Sequence, residues 1–386
     1  MFHYMDNAAT SFPKPEEVLA VMEHFFNNTG GNPGRSGHRL SLKSGEIVYE
    51  TRDLLAQLFN IEDPLQIVFT LNATMAINMA LSGLLKPGDH VITSSLEHNS
   101  LARPLRYMET KGVEITRISC SPPDFQINLE ELEQSIQKNT RLIALMHGSN
   151  VTGTIFPLKE IGKIAKKHGL YFMVDAAQTA GAYPIDVQRE GIHMLAFTGH
   201  KGLFGPQGTG GLYIDPRLKI ESFIRGGTGS LSEEDRQPDF MPDVLESGTP
   251  NAMGLAGLSA GVKYILKEGI DKIRGKEEEL TFFLLKGLKE IDGIKVFGEE
   301  SVKRRMPIIS FLVDGVSPST VGEILDDEYN ILVRVGLHCS PWAHESMGTI
   351  PEGTVRVSLS YFNTEKQVDN LIKALKEIVK EEVETS

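Results

Sequence analysis

The sequence predicts an α/β protein in which a mostly parallel sheet is covered by helices, followed by a smaller α+β C-terminal domain. Short, continuous apolar runs, which are typical of strands buried on both faces, alternate with amphipathic segments of helical spacing. The chain has 386 residues, enough for two or three domains. It contains no internal repeat and no low-complexity segment, which excludes solenoids and linker-rich arrays.

The elements of the predicted large domain follow in a regular order. The run 67–70 predicts a buried strand, and the segment 74–84, with apolar residues at helical spacing, predicts the helix after it. The segment 86–89, Lys-Pro-Gly-Asp, has turn chemistry. The same pattern then predicts strands at 90–93, 142–146, 170–174, 194–197 and 211–214, and a helix at 158–168 that is closed by Gly169.

The pattern changes near residue 255. The segment 255–290 is predicted to be mostly helical, and its acidic run 277–279 is most simply a solvated face. Strands and helices then mix, as expected for a smaller α+β domain. The predicted elements are strands at 308–311, 332–334 and 354–359 and helices at 320–327 and 364–380.

Composition excludes several classes of protein. The net charge is −12, with 39 basic and 51 acidic residues, which argues against a nucleic-acid surface. Two cysteines cannot build a disulfide framework. No apolar run reaches the roughly 18 residues of a membrane helix, and the N-terminal residues do not read as a signal peptide. We therefore expect a cytoplasmic protein of a reducing compartment, bound neither to membranes nor to nucleic acids.

Two charged residues stand at ends of predicted strands, where open parallel sheets bind ligands. Asp175 follows the apolar run 171–174, where a carboxylate is costly unless a cation meets it. It either caps the next helix or pairs with a protonated heterocyclic nitrogen, as pyridoxal phosphate requires. Lys201 follows the strand 194–197 among glycines that let the backbone approach a ligand. It is either a solvated loop charge or, beside Asp175, a Schiff-base lysine.

Two further positions gain meaning from these neighbours. Thr74 stands at a predicted helix start, where free N–H groups and the helix dipole suit a phosphate. An ordinary N-cap explains that residue equally well. His98 follows the strand 90–93 and has the planar ring needed to stack on a cofactor, although a lone loop histidine is more often incidental.

The C-terminal domain contributes a cysteine and an arginine. Cys339 is predicted to lie in an exposed loop, where His338 and Arg334 are suitable neighbours for a thiolate; the alternative is a half-buried structural cysteine. No surrounding Cys or His pair has zinc-ligand spacing, so no metal is expected. Arg356, inside an apolar strand, needs an anion, either a structural carboxylate or that of an amino-acid substrate.

Cys120, in the large domain, lacks neighbours suited to a thiolate and is predicted to be structural.

Together these segments resemble the cysteine desulfurase and selenocysteine lyase family, among the class V aminotransferase-like, fold-type I pyridoxal phosphate enzymes. The resemblance runs from 4–10 (Tyr-Met-Asp-Asn-Ala-Ala-Thr) to 360–364 (Ser-Tyr-Phe-Asn-Thr). Its most specific parts are 174–178 (Val-Asp-Ala-Ala-Gln), 199–201 (Gly-His-Lys), 246–251 (Glu-Ser-Gly-Thr-Pro-Asn) and the Arg-x-Gly-x-His-Cys loop at 334–339. In this order and spacing they form a strong signal.

The resemblance implies a role for each matching residue. Lys201 would attach the cofactor and remove the α-proton, Cys339 would accept the substrate sulfur, and His98 would stack on the ring and shuttle a proton. Asp175 would pair with the pyridine nitrogen and Gln178 with the phenolic oxygen. The other implied contacts are Thr74, Thr198 and His200 with the phosphate, Gly248 and Thr249 with the phosphate of the neighbouring subunit, Asn150 and Arg356 with the substrate carboxylate, and His38 and Arg334 near the substrate channel.

The family likeness also implies an architecture. We expect an N-terminal arm, 1–15, that packs with the small domain, a large domain that binds pyridoxal 5′-phosphate, 16–255, and a small domain that carries the cysteine loop, 256–386. A homodimer and a sulfur-acceptor protein are the implied partners. The short stretch from Cys339 to Arg356 looks like the SUF-type branch of the family, whose cysteine loop is short.

The chain departs from that branch at two places. It has Ala73-Thr74-Met75 where Thr-Thr-Glu is common, and Ser-Pro-Trp at 340–342 also differs from the usual sequence. These changes touch the phosphate site and the surface that would meet an acceptor.

The expected activity is conversion of L-cysteine to L-alanine with a persulfide on Cys339. The alternatives are a selenocysteine lyase acting on L-selenocysteine, another reaction of the same fold such as transamination or epimerisation, and a non-catalytic cofactor-binding scaffold.

Overall fold

The structure, a computed structural model, describes residues 2–34 and 37–385. Its strands are β1 (His3–Tyr4), β2 (Ile67–Thr70), β3 (His90–Ser94), β4 (Glu114–Ile118), β5 (Thr140–Met146), β6 (Tyr171–Asp175), β7 (Met194–Thr198), β8 (Gly210–Ile214), β9 (Ile294–Phe297), β10 (Ile308–Val313), β11 (Ile331–Leu332), β12 (Arg334–Gly336) and β13 (Thr354–Ser358). Its helices are α1 (Glu16–Asn28), α2 (Arg39–Phe59), α3 (Ala73–Leu84), α4 (Asn99–Glu109), α5 (Leu129–Gln134), α6 (Leu158–His168), α7 (Val187–Glu190), α8 (Ala252–Glu268), α9 (Ile270–Lys289), α10 (Pro318–Asp327), α11 (Pro341–Met347) and α12 (Glu365–Thr385).

A seven-stranded sheet, in the order β2-β8-β7-β6-β5-β3-β4, forms the larger part of the molecule. Neighbouring strands from β7 through β4 are parallel, whereas β8 is antiparallel to both β2 and β7. A second, antiparallel sheet follows in the order β12-β13-β10-β9. The predicted fold class, a mostly parallel sheet with a smaller α+β part, is confirmed.

Alternate residues of each central strand enter different cores, as the two-residue period of a strand requires. In β6, Phe172 and Val174 pack in the core beneath α2, α6 and α8, whereas Met173 packs in the core beneath α3 and α4. All three side chains are fully buried. This two-sided burial explains why these strands are continuous apolar runs in the sequence.

The structure differs from the sequence-based elements in details. The strand predicted at 332–334 is two short strands: β11 pairs with β1 of the N-terminal arm, and β12 pairs with β13. The domain boundary predicted after residue 255 lies within α8, whose apolar residues pack in the first core of the large sheet. The second sheet has its own core, to which α9, α10 and α12 contribute. None of the described helices is long and apolar enough to cross a membrane.

The helix α8 lies directly on the backbone that follows Lys201. A Cβ atom added at Gly261 would lie 2.4 Å from the carbonyl oxygen of Leu203 and 3.1 Å from the nitrogen of Gly205. Both neighbours are backbone atoms, which cannot rotate away as a side chain does. Gly261 therefore sets how closely α8 supports the loop that carries Lys201.

We expect Gly261→Ala to lower the free energy of unfolding by about 1–3 kcal/mol, because the added methyl group overpacks this contact. The matched control is Gly275→Ala in α9, where an added Cβ would meet nothing within 4 Å. That change should be neutral or stabilise by about 0.5–1 kcal/mol through helix propensity. Denaturant unfolding of both variants checks the prediction, and equal effects would contradict it.

Candidate active site

A cavity of about 300 Å³ lies beyond the carboxyl ends of the central parallel strands. Met146 ends β5, Asp175 ends β6 and Thr198 ends β7, and all three line the cavity. Since parallel strands end at the same edge of a sheet, residues distant in sequence meet here. The candidate residues that line the cavity are Thr74, His98, Asn150, Asp175, Gln178, Thr198, His200, Lys201, Arg334 and Arg356.

One end of the cavity is the start of α3. Asn72, not Thr74, is the N-cap, and its side chain accepts a hydrogen bond from the backbone N–H of Met75 at 3.0 Å. Thr74 is exposed in the first turn and lines the cavity with Ala73. The positive end of the α3 dipole and the Thr74 hydroxyl therefore face a space suited to a phosphate.

Asp175 is a buried carboxylate, only 4% exposed. It caps no helix; one of its oxygens accepts from the N–H of Ala177 at 2.9 Å and the other from the hydroxyl of Ser100 at 3.0 Å. Burial raises the pKa of Asp175, while these hydrogen bonds and the positive charge of Lys201 act in the opposite direction. The carboxylate thus favours a cationic partner in the cavity.

Lys201 lies in the loop after β7. Burial of its ammonium group lowers the pKa of Lys201 from 10.5 to about 8, with Arg356 and Arg334 acting in the same direction and Asp175 opposing them. A substantial fraction of the neutral amine is therefore present near neutral pH. The neutral amine is the form that attacks a carbonyl carbon or accepts a proton.

Two histidines are held neutral in the cavity wall. Burial, followed by the positive charges of Lys201 and Arg334, lowers the pKa of His98 to about 3. The Nδ1 atom of His98 lies 2.9 Å from the backbone nitrogen and 2.8 Å from the hydroxyl oxygen of Ser100, so Ser100 fixes the orientation of the ring. Burial lowers the pKa of His200 to about 4, and its buried Nδ1 has no hydrogen-bond partner among the described residues.

Arg356 extends from β13 and is 1% exposed. One Nη atom donates to the backbone oxygen of Asn150 at 3.0 Å, and the other donates to a carboxylate oxygen of Asp6 at 2.6 Å. The buried Nε has no partner in the described part of the chain. A structural carboxylate therefore meets this arginine, as one of the two sequence interpretations held, and a further donor is left for a ligand.

Cys339 is exposed, as predicted, and it lies at the edge of the cavity rather than in its lining. An Nη atom of Arg334 donates to its sulfur at 3.2 Å, a contact that stabilises negative charge on the sulfur. Cys120 is buried and unpaired, as expected of a structural cysteine. The sequence indicates His338 only as a neighbour for the thiol of Cys339. In the structure it lines the cavity and is 2% exposed.

Besides Cys339, three candidate residues do not line this cavity. Gly248 and Thr249 line a second cavity of about 460 Å³, to which Leu71 and Met75, on either side of the start of α3, also contribute. The side chain of His38 caps α2 and accepts from the N–H of Ser41 at 3.3 Å. Asn32 connects these regions, because its side chain donates to the Thr249 hydroxyl at 3.3 Å and its carbonyl oxygen accepts from Ser41 at 2.6 Å.

Sequence reasoning missed two functional contacts. Asp6 pairs with Arg356 although 350 residues separate them, and the only signal was its place in the N-terminal segment that carried the resemblance. Ser100 connects His98 with Asp175. Nothing in its sequence surroundings indicated that contact. Among residues 2–34 and 37–385 there is no group of three or more His, Cys, Asp or Glu side chains placed to hold a metal ion.

Comparison with known families agrees with this geometry. The model of the class-V aminotransferase family matches residues 3–371. The chain belongs to this family. The resemblance stated from the sequence is thus confirmed, and the pyridoxal phosphate dependence that it implied is a property of the family.

Curated relatives and solved structures within this class-V family are similar over nearly the whole chain. A probable cysteine desulfurase from Methanothermobacter thermautotrophicus is 34% identical, and the match covers 97% of this chain and 94% of the relative. A probable cysteine desulfurase from Pyrococcus abyssi is 35% identical, covering 98% and 94%. The apo structure of a cysteine desulfurase from Thermococcus onnurineus NA1 is 34% identical with a TM-score of 0.92, covering 98% and 95%. The cysteine desulfurase CsdA from Escherichia coli, in an S-sulfonic acid form, is 30% identical with a TM-score of 0.87, covering 98% and 94%.

The residues of the cavity fit the family's cofactor. The unpartnered Nδ1 of His200 and the first turn of α3 suit a phosphate. Asp175 suits a protonated ring nitrogen, and Lys201 has the lowered pKa that covalent attachment of an aldehyde requires. These are the residues that would hold pyridoxal phosphate in this class-V enzyme.

We expect covalent attachment of pyridoxal phosphate to the apoprotein to depend on pH with a midpoint near 8, the pKa of Lys201. Below that pH the rate should fall about tenfold per pH unit, because only the neutral amine attacks the aldehyde. Borohydride trapping at a series of pH values, with mass spectrometry of the peptide that contains Lys201, measures this. Exposed lysines in the same digests are the control and should still gain reactivity near pH 10; the same profile at Lys201 would contradict the prediction.

Proposed function

We propose that this chain is a pyridoxal-phosphate-dependent cysteine desulfurase that converts L-cysteine to L-alanine and retains the sulfur on Cys339 as a persulfide. The observation that carries the proposal is the position of the exposed Cys339 thiol, beside Arg334 and at the edge of a cavity that contains Lys201, Asp175 and Arg356. Membership of the class-V family and the cysteine desulfurases among its relatives support it.

Binding of the substrate depends on charges fixed in the cavity wall. When bound, pyridoxal phosphate supplies an electron sink for the negative charge that develops at the substrate α-carbon. The Nε of Arg356, buried and without a partner among the described residues, binds the substrate carboxylate. Asp175 offsets positive charge in the cavity, and the neutral His98 lines the cavity without adding charge.

Proton and sulfur transfer follow from two groups. The neutral amine of Lys201 takes the α-proton, because its lowered pKa leaves it partly unprotonated. The Cys339 thiolate then attacks the substrate sulfur, so that a sulfur–sulfur bond forms and the carbon–sulfur bond breaks. The electron pair of the broken bond stays with the substrate β-carbon, which takes a proton and becomes the methyl group of alanine, and Lys201 returns to the α-carbon the proton that it took.

We infer that the molecule acts as a homodimer. Gly248, Thr249 and Tyr49 line the second cavity together with large apolar side chains. In a single chain these apolar side chains would be in contact with water. Tyr49 is 53% exposed and Leu71 is 58% exposed. A second copy on this face would carry Thr249 and the α2 terminus at His38 toward the partner's active site, as the family likeness implies.

We further propose that the persulfide passes to a sulfur-acceptor protein and that the enzyme works in the cytoplasm. An exposed thiol at Cys339 needs a reducing compartment to remain free.

We also propose the domain division at 1–15, 16–255 and 256–386. In this division, Asp6, Asn150 and Arg356 bring one residue from each part into the site.

We expect Cys339→Ala to bind pyridoxal phosphate with an unchanged absorbance spectrum but to release no alanine from L-cysteine, since it lacks the sulfur acceptor. Alanine and sulfide are measured in the presence of reductant. The matched control is Cys120→Ala, which removes the buried cysteine and should leave turnover within about twofold. Undiminished alanine release by Cys339→Ala would refute the proposed nucleophile. Assaying L-selenocysteine with the same variants tests the lyase alternative, for which no loss of activity is expected.

We expect Arg356→Lys to lower kcat/KM for L-cysteine at least about tenfold, chiefly through KM, because lysine keeps the charge but not the planar donors that bind a carboxylate. Cysteamine, which has the amine and thiol of cysteine without its carboxylate, is the control substrate. Its kcat/KM should change less than about threefold. Equal losses for the two substrates would show that Arg356 does not bind the carboxylate.

A further inference from the structure

The backbone at Cys339 is in an unusual conformation. His338 and Cys339 have φ angles of 49° and 59°, so two consecutive non-glycine residues are left-handed. Side chains with a Cβ atom rarely adopt this conformation, and it persists only where the surroundings hold it. The exposed Cys339 stands between two buried residues, His338 at 2% and Ser340 at 0% exposure.

Hydrogen bonds hold this loop on two sides. On one side the backbone N–H of Asn99, at the start of α4, donates to the carbonyl oxygen of Cys339 at 2.8 Å. On the other side Asn150 makes two bonds with the residues that flank the cysteine. Its Nδ2 donates to the carbonyl oxygen of His338 at 2.7 Å, and its Oδ1 accepts from the hydroxyl of Ser340 at 2.8 Å.

Asn150 also contacts Arg356, the proposed carboxylate-binding residue. The backbone oxygen of Asn150 accepts a hydrogen bond from an Nη atom of Arg356, whose Nε has no partner among the described residues and is left for a ligand. One buried residue thus fixes the position of Arg356 with its backbone and the position of the cysteine loop with its side chain. The carboxylate and the sulfur of L-cysteine are separated by a short, nearly fixed distance. A nucleophile that must meet that sulfur benefits from being placed relative to the carboxylate anchor.

We propose that Ser340 is the positioning residue for Cys339: its buried hydrogen bond to Asn150 holds the left-handed loop and places the thiol relative to Arg356. This inference rests on the proposed function. It also gives a role to one of the residues after Cys339 that depart from the family's usual sequence. Ser340 touches neither substrate nor cofactor in this proposal, so it affects sulfur transfer without affecting the earlier steps.

A matched control lies six residues further along the chain. Ser346, in α11, donates to the hydroxyl of Ser95 at 2.9 Å and to the carbonyl oxygen of Trp342 at 3.1 Å. Like Ser340 it is a serine that attaches this segment to the large sheet, but it does not contact Asn150. The ring of Trp342 packs against the guanidinium groups of Arg106 and Arg117, at 5.3 and 4.8 Å from its centre. General loosening of α11 should therefore appear in Ser346→Ala as well.

The test compares Ser340→Ala, Ser346→Ala and the unaltered holoenzyme in single-turnover experiments with L-cysteine. In Ser340→Ala we expect the absorbance change that L-cysteine causes in the bound cofactor to keep its rate within about twofold. The rate of alanine formation should fall about tenfold, because loss of the bond misplaces the thiol. In steady-state assays of the same variants, KM for L-cysteine should stay within about twofold. Ser346→Ala should change none of these quantities by more than about twofold.

Hydrogen exchange of the segment 337–340 supplies a second readout that does not depend on turnover. It should be faster in Ser340→Ala and unchanged in Ser346→Ala, because the N–H of Ser340 bonds to Leu337 within the loop. Alanine formation within twofold of the unaltered enzyme, or an equal fall of the absorbance and alanine rates, would overturn the proposal. Cys339→Ala separates this result from a failure of the proposed function: if that variant still forms alanine, the function is wrong, whatever Ser340→Ala does.

Discussion

A single buried guanidinium group holds together the parts of the molecule that form the active site. Arg356 belongs to the second sheet, yet it bonds the backbone of Asn150, beyond the carboxyl end of β5, and the carboxylate of Asp6 in the N-terminal arm. A buried cation is costly unless it is paired and hydrogen-bonded. These bonds meet that requirement only when the arm and both sheets are in place. Burying Arg356 therefore requires the arrangement that also creates the ligand site.

The same constraint explains the charges around it. Arg356, Arg334 and Lys201 place three cations around one small cavity, and burial, followed by these positive charges, keeps His98 neutral. Asp175 and Asp6 offset part of that charge. The cavity therefore attracts anionic groups such as a carboxylate or a phosphate, and it keeps the amine of Lys201 partly unprotonated. Both conditions result from burial rather than from any single unusual residue.

Much of this site could be predicted from the sequence, because strand ends are visible there and parallel strands bring their ends together. Asp175 and Lys201 were found in this way, and both line the cavity. The direction of β8 was not predictable, because an apolar run has the same composition whichever way the strand points. The sequence leaves open whether Thr74 caps the helix or meets a phosphate; the cap is Asn72, since either residue type can cap a helix and only the backbone decides.

Contacts across long separations account for the rest. The pairing of Asp6 with Arg356 and the bond between Ser340 and Asn150 depend on the docking of the second sheet, which no local pattern encodes. The strained backbone at His338 and Cys339 is likewise invisible in the sequence, because neither residue is a glycine. His38 and Thr249 do not line the cavity, and they would reach an active site only in the homodimer that we propose.

The packing of Trp342 against two arginines has a practical consequence. It is the only tryptophan among 386 residues, and it lies three positions beyond the thiol. When the protein is excited at wavelengths that tyrosine does not absorb, this one indole emits, and two guanidinium groups lie next to it. The polypeptide therefore carries its own fluorescent label close to the Cys339 thiol, and no dye has to be attached to watch that region.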